Sequence, residues 1–209
     1  MFRLKKLIHP SGKYNKNYLN YVGWSFISNT VASIQQTLVA HNMLLCINTN
    51  SSTEIVRTMN YVGKDIIGQL GSLGYMAKMA NNADKNPNKF LAYSNISQQT
   101  SYIITCITPI MEPKWFLPVA GGANIMSNIS FAGFGAINAK CISTLSEGDN
   151  VGEIYAKIAV INTLGSSLGM VMGISIVALV PECGVRLCLI PILGVLRILT
   201  FNRAVKGII

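Results

Sequence analysis

From Ile158 to Val180 the chain runs without a single charged residue. As a helix, that run crosses the roughly 30 Å hydrocarbon core of a bilayer, which makes it the strongest transmembrane candidate in the sequence. It continues a segment that begins at Val151 and carries Glu153 and Lys157, four apart, near its start. Within it Gly165, Gly169 and Gly173 are also spaced four apart and fall on one helix face. Such a face lets a neighbouring backbone approach closely, and Ser166 and Ser175 add hydrogen-bonding capacity. The competing reading is compositional, since glycine is common in membrane helices. Neither reading requires a ligand.

Composition points the same way. Of 209 residues, 50% are hydrophobic and 12% charged, about half the charged share of an ordinary soluble domain, and the mean hydropathy is +0.40. The expected fold is all-α, a polytopic membrane helix bundle of about five or six Gly- and Ala-rich helices. Lys and Arg number 17 against 8 Asp and Glu, a net charge of +9. Those charges are scattered over loops and helix ends without interleaved aromatics, so the expected acidic partner is the lipid bilayer, not nucleic acid. The five cysteines, Cys46, Cys106, Cys141, Cys183 and Cys188, form no C-x-x-C pair and have no histidines nearby. They read as small buried apolar residues, with neither a disulfide framework nor a zinc site.

Residues 1–17 form a basic arm, in which Arg3, Lys5, Lys6, Lys13 and Lys16 precede the first acidic residue, Glu54. The arm lacks the apolar core of a secretory signal, and its single Arg and few serines fit an organelle address poorly. Lying on an anionic leaflet is its expected role, with a cleaved address as the alternative. Residues 18–201 are expected to form a single helical membrane domain, and residues 202–209 a short basic tail.

Within that domain the first helix is predicted from Tyr18 to Ile47, polar enough at Ser25, Asn29, Gln35 and Asn42 to need shielding by others. Ser52 or Thr53 is placed to cap the second helix, and Asn50-Ser51-Ser52 matches a glycosylation acceptor. The second helix, from about Glu54 to Ala80, carries Gly68, Gly71 and Gly74, with Lys64 and Asp65 near its middle. Neighbours in sequence diverge by about 100° around a helix, which predicts different partners for these two charges. Ionisable residues at membrane depth mark a candidate site, so Lys64, Asp65, Glu153 and Lys157 are grouped as an intramembrane polar network. The alternative is a half-submerged helix whose charges reach the interface by snorkelling.

A third segment, Phe90 to Met111, should end or kink near Thr108 because of Pro109. The fourth, from Phe116, is rich in small residues, among them Gly121, Gly122 and Gly133. It is the expected partner of the Gly165, Gly169 and Gly173 face, being consecutive and joined by a short acidic turn. Asn124, Asn128 and Asn138 either hydrogen-bond across that contact or line a polar path. A sixth segment, Val185 to Phe201, is weakened by Arg186, Arg197 and the interrupting Pro191, and either spans with snorkelled ends or lies along the interface. The loop charges alternate in a way that fits six crossings, with both ends on the positive side.

The run Lys64-Asp65-Ile66-Ile67-Gly68-Gln69-Leu70-Gly71, the Asp84 to Lys89 stretch with Pro87, the Ala- and Gly-rich fourth helix, and Asn150, Glu153, Ala156 and Lys157 together resemble the Root UVB sensitive (RUS) family. The similarity runs from about Trp24 to Val180. It implies a multi-helix membrane protein without an established biochemical activity. It also implies relatives associated with root development, ultraviolet-B responses, vitamin B6 homeostasis and auxin transport, which act in complexes with one another. Ala159 and Ile161 stand where the family commonly has an acidic residue and Gln. The soluble C-terminal region of longer members has no counterpart up to Ile209, so a C-terminally truncated member is expected.

Three function classes follow. A membrane scaffold, forming homo- or hetero-oligomers with related membrane proteins, is expected first. A carrier or channel for a small polar metabolite, related to vitamin B6 or auxin by resemblance only, is the alternative. An enzyme ranks last. Only His9 and His41 are present, and no G-x-S-x-G elbow, phosphate loop or metal cluster appears, so no catalytic residue and no cofactor is expected. The protein is expected in a membrane, an organelle membrane included.

Overall fold

The computed structural model describes residues 8–49, 54–83, 85–180 and 182–209. Six long helices make up most of them: α1 (Tyr18–Thr49), α2 (Glu54–Ala83), α3 (Pro87–Ile107), α4 (Phe116–Leu145), α5 (Val151–Leu179) and α6 (Cys183–Val205). Short 3₁₀ turns cover Thr108–Ile110 and Pro113–Trp115. Among the described residues there is no strand, only an isolated antiparallel bridge between Tyr14 and Ser146. The protein is all-α. Arg3, Lys5, Lys6, the Asn50 acceptor and the Ser52 or Thr53 cap lie outside the described residues.

Helix ends follow local chemistry. Pro87 opens α3 in its first turn, where its missing N–H costs nothing. The same helix stops at Ile107, just before the 3₁₀ turn that contains Pro109. Gly148 makes the α4–α5 turn at φ +122°, a backbone region that side chains rarely adopt. Pro191, expected to interrupt the last segment, instead sits inside a continuous α6. One proline removes a single donor, and helices of this apolar kind tolerate that loss.

Two of the six helices are long and apolar enough to cross a membrane, α5 over Val151–Leu179 and α6 over Gly184–Val205. The strongest sequence candidate is therefore one of the two, and the doubted last segment is the other. Among the described residues, the six crossings expected from charge alternation have this support at two helices. In the other four, serine, asparagine, glutamine and glycine dilute the apolar content.

The described chain divides into two compact units. The first comprises Met1–Gln35, Asn138–Pro181 and Ile192–Ile209. Its core includes Tyr18, Tyr21, Cys141, Leu145, Ile154 and Ala204, each fully buried. Here the glycine face of α5 meets α1, not α4. A Cβ on Gly165 would stand 2.8 Å from the Phe26 carbonyl oxygen, and one on Gly169 would run into the Thr30 carbonyl and the Ser33 Cβ. Gly173 is buried on the same face. Ser25 strengthens the contact by donating to Asn162 Oδ1 at 2.9 Å. The expected α4 partner is thus replaced by α1, whose Ser25, Thr30 and Ser33 are small and polar enough to approach closely.

The segment before α1 is held to the α4–α5 turn. Ser11 donates to Glu153 Oε1 through both its backbone N–H, at 2.8 Å, and its hydroxyl, at 2.6 Å. Asn150 donates to the Lys13 carbonyl at 2.8 Å, and the Asn15 N–H donates to the Leu145 carbonyl at 3.0 Å. Residues 11–15 of the basic arm are thereby docked on the α4–α5 turn and the start of α5. Glu153→Ala removes the acceptor of both Ser11 bonds. It should raise amide exchange at Ser11 through Asn15 by about tenfold or more, and unchanged protection in a hydrogen-exchange experiment would count against this anchoring.

The second unit comprises Gln36–Ile137 and Glu182–Pro191. In it α4 packs its small residues on α2 and α3. Gly68 faces Asn124, Gly71 faces Ile125, Gly121 faces Ile67, and Gly133 faces Ser94. Gly74 and Gly122 face open space. Ser97 donates to the Met126 carbonyl at 2.7 Å, while buried Gln98 accepts from Ser130 at 3.1 Å and donates to Tyr102 at 2.8 Å. Met43, Phe116 and Ala120 form an apolar cluster. Of the cysteines read as buried, Cys141 is so, whereas Cys188 is exposed, because it lies on the outer face of an apolar helix.

Candidate functional site

In the second unit, α2 brings Lys64 to a buried position, its side chain only 10% exposed. A charge there needs a partner, because desolvation costs more than a lone ammonium recovers. It has one: Lys64 Nζ lies 2.6 Å from Asp65 Oδ1 and 4.2 Å from the centre of the Tyr61 ring. The expectation of different partners for Lys64 and Asp65 is corrected here. The long lysine stem bridges the angular separation that keeps shorter neighbours apart. From α4, Asn124 donates to Asp65 Oδ1 at 2.9 Å and to the Lys64 carbonyl at 3.2 Å. Its approach depends on Gly68, where a Cβ would collide with the Asn124 amide. The Lys64-Asp65-x-x-Gly68 run is thereby one arrangement: a charge pair, its clamp, and the space the clamp occupies.

Lys64 and Asn124 also line a pocket of about 150 Å³. α1 supplies Gln36 and an apolar wall of Val39, Ala40 and Met43, to which Ala120 of α4 contributes. α3 adds Ser101, Tyr102 and Thr105, and α4 adds Ser127. Lys64 is the one charged residue of the lining. Elsewhere in the same unit, Asn42 is 1% exposed with neither amide atom hydrogen-bonded, and Asn95 Oδ1 and Asn128 Nδ2 are likewise buried without a partner. Buried polar groups of this kind normally contact ordered water or a ligand.

Glu153 and Lys157 belong to the first unit. They form an i,i+4 pair at 3.8 Å, with side chains 30% and 19% exposed, and Glu153 also takes the two Ser11 bonds. The four charged residues grouped from the sequence thus form two sets, each with partners in its own unit. Of the three asparagines on α4, Asn124 bonds to α2 and Asn138 accepts from Tyr21 at 2.9 Å. The pocket lining on α3 was not anticipated, although Ser94, Ser97, Gln98, Ser101 and Thr105 recur every three or four residues, the signature of a polar helix stripe. Among the described residues no group of three or more His, Cys, Asp or Glu side chains is placed to hold a metal.

The family described as "Vitamin B6 photo-protection and homoeostasis domain" matches residues 4–209. The chain belongs to the Root UVB sensitive family. Three RUS relatives from Arabidopsis thaliana are similar to it. Protein root UVB sensitive 4 is 27% identical over 160 residues, 76% of this chain and 31% of the relative. Protein root UVB sensitive 6 is 20% identical over 160 residues, 76% of this chain and 32% of the relative. Protein root UVB sensitive 5 is 24% identical over 187 residues, 83% of this chain and 36% of the relative. The chain spans about a third of the length of these curated RUS relatives. No solved structure is significantly similar to it.

Proposed function

We propose that this RUS chain is an integral membrane component of an assembly of related proteins, built as a polytopic helix bundle and without catalytic chemistry of its own. The observation that carries the reading is the two-faced construction of α5. Its glycines turn inward, while Leu164, Leu168 and Val171 on the other side are 53%, 46% and 62% exposed. α6 repeats the pattern with Ile192, Val195 and Leu199 exposed. Apolar faces of this extent are costly in water and suit lipid or a partner helix. α2 also turns Met59, Ile66, Leu70 and Leu73 outward, which supports a membrane setting beyond the two most apolar helices.

The test uses a cysteine-free chain in sealed vesicles with single cysteines at Glu147→Cys and Val171→Cys. An impermeant maleimide is expected to label position 147 from one side and to leave position 171 unmodified, with the protein retained in membranes through alkaline carbonate. Free aqueous labelling at position 171 together with carbonate extraction would overturn the membrane reading. The assembly part is checked by crosslinking with co-expressed relatives.

A second reading is favoured by one specific observation, the pocket at Lys64. A cavity with a buried, neutralised charge and several hydroxyls suits the binding or passage of a small polar solute. The family description names vitamin B6, whose vitamers are built on a single substituted ring, the size of molecule such a pocket accepts.

A further inference from the structure

Building on the second reading, we propose that the Lys64 pocket selects an uncharged molecule of single-ring size, with an apolar face and hydrogen-bonding substituents on one edge. Size comes first. An engineered cavity of about 150 Å³ holds benzene, and this pocket has the same volume.

Shape of the chemistry comes next. Val39, Ala40, Met43 and Ala120 make an apolar wall, while Lys64, Asn124, Ser101 and Thr105 offer donors and acceptors. A flat ring bearing hydroxyl or carbonyl groups satisfies both sides at once. A molecule without polar substituents would leave the polar side unmatched, and burial of unmatched polar groups is costly.

Charge decides the class. The Lys64 ammonium is already neutralised by Asp65 at 2.6 Å, and Asn124 clamps the same carboxylate oxygen at 2.9 Å. An anion entering the pocket has to compete with a carboxylate held on the adjacent residue of the same helix. A cation meets no carboxylate in the lining. Either would bring a charge that no unpaired group of the lining compensates. The adjacent placement of Lys64 and Asp65 therefore acts as a charge filter, giving the ligand a polarised N–H donor without a net charge to pair.

The test is ligand-observed NMR on the full chain in lipid nanodiscs with three ring-sized probes: resorcinol (neutral), benzoate (anionic) and benzylammonium (cationic). Resorcinol is expected to bind at least about tenfold more tightly than either ion, and Ser127→Phe, which fills the pocket, should abolish its signal. Asp65→Asn keeps an acceptor for Lys64 but removes the neutralising charge, so it should gain benzoate binding by about tenfold. If that variant does not fold, Lys64→Met supplies the check through about tenfold weaker resorcinol binding without any gain of benzoate. Equal binding of benzoate and resorcinol by the wild type would overturn the charge filter and leave the solute-binding reading standing. Absence of binding by all three probes, or a resorcinol signal that survives Ser127→Phe, would overturn both.

Discussion

Gly169→Ala lowers the stability of the protein, whereas Gly74→Ala does not. At Gly169 the added methyl meets the Thr30 carbonyl, a backbone group, together with the Ser33 Cβ at 2.7 Å. Neither is the flexible end of a side chain, so α1 and α5 have to move apart. Overpacking of this kind costs about 1–3 kcal/mol. The loss is compounded because separating the helices stretches the Ser25 to Asn162 hydrogen bond on the same contact. At Gly74 nothing lies within 4 Å. There the methyl only improves helix propensity, a gain of about 0.5–1 kcal/mol. Unfolding of the two variants in detergent, followed by circular dichroism, separates the cases. Equal midpoints would mean that the α5 glycines reflect composition and not close packing.

Asp65→Leu destabilises the second unit more than Lys64→Met does, and the double variant recovers much of the loss. Removing Asp65 strands an ammonium whose side chain is 10% exposed, while removing Lys64 strands a carboxylate that is 42% exposed and can still draw on solvent and on Asn124. Stranding one member of a fully buried pair costs about 3–5 kcal/mol. The partial exposure of Asp65 reduces the expected loss for Asp65→Leu to about 2–4 kcal/mol. With both charges gone, apolar side chains on a half-buried helix need no partner, so the double variant should lie closer to wild type than to Asp65→Leu. The check is a double-mutant cycle on unfolding free energies. Strict additivity of the two single losses would show that the Lys64–Asp65 contact carries no coupling.

These expectations show how far the linear sequence reached. Helix positions were legible to within a few residues, because apolar spacing, Pro87, Pro109 and the Gly148 turn act locally on the chain. The Lys64-Asp65-x-x-Gly68 run also stood out as chemistry, since adjacent opposite charges in the middle of a glycine-rich helix are conspicuous. What escaped was partnership. The α5 glycines were assigned to α4 on the ground that consecutive helices tend to be neighbours, and the structure sets Gly165 and Gly169 against α1. The basic arm before α1 shows no partner within the protein when read as a sequence, yet its described part is held by Glu153, Asn150 and Leu145.

The physical reason lies in the range of the forces involved. Apolar periodicity, proline and glycine constraints, and the absence of charge from Ile158 to Val180 bias φ, ψ and solvation within one segment, so the sequence alone determined an all-α chain with a membrane-grade helix at Val151–Leu179. A glycine face, by contrast, states only that something approaches closely, and many small-residue faces in this chain satisfy that condition. Only the tertiary structure decided which of them meet. It also decided that Lys64 bonds to its own neighbour, because side-chain reach and the space left at Gly68 for Asn124 are properties of packed helices and not of residue order.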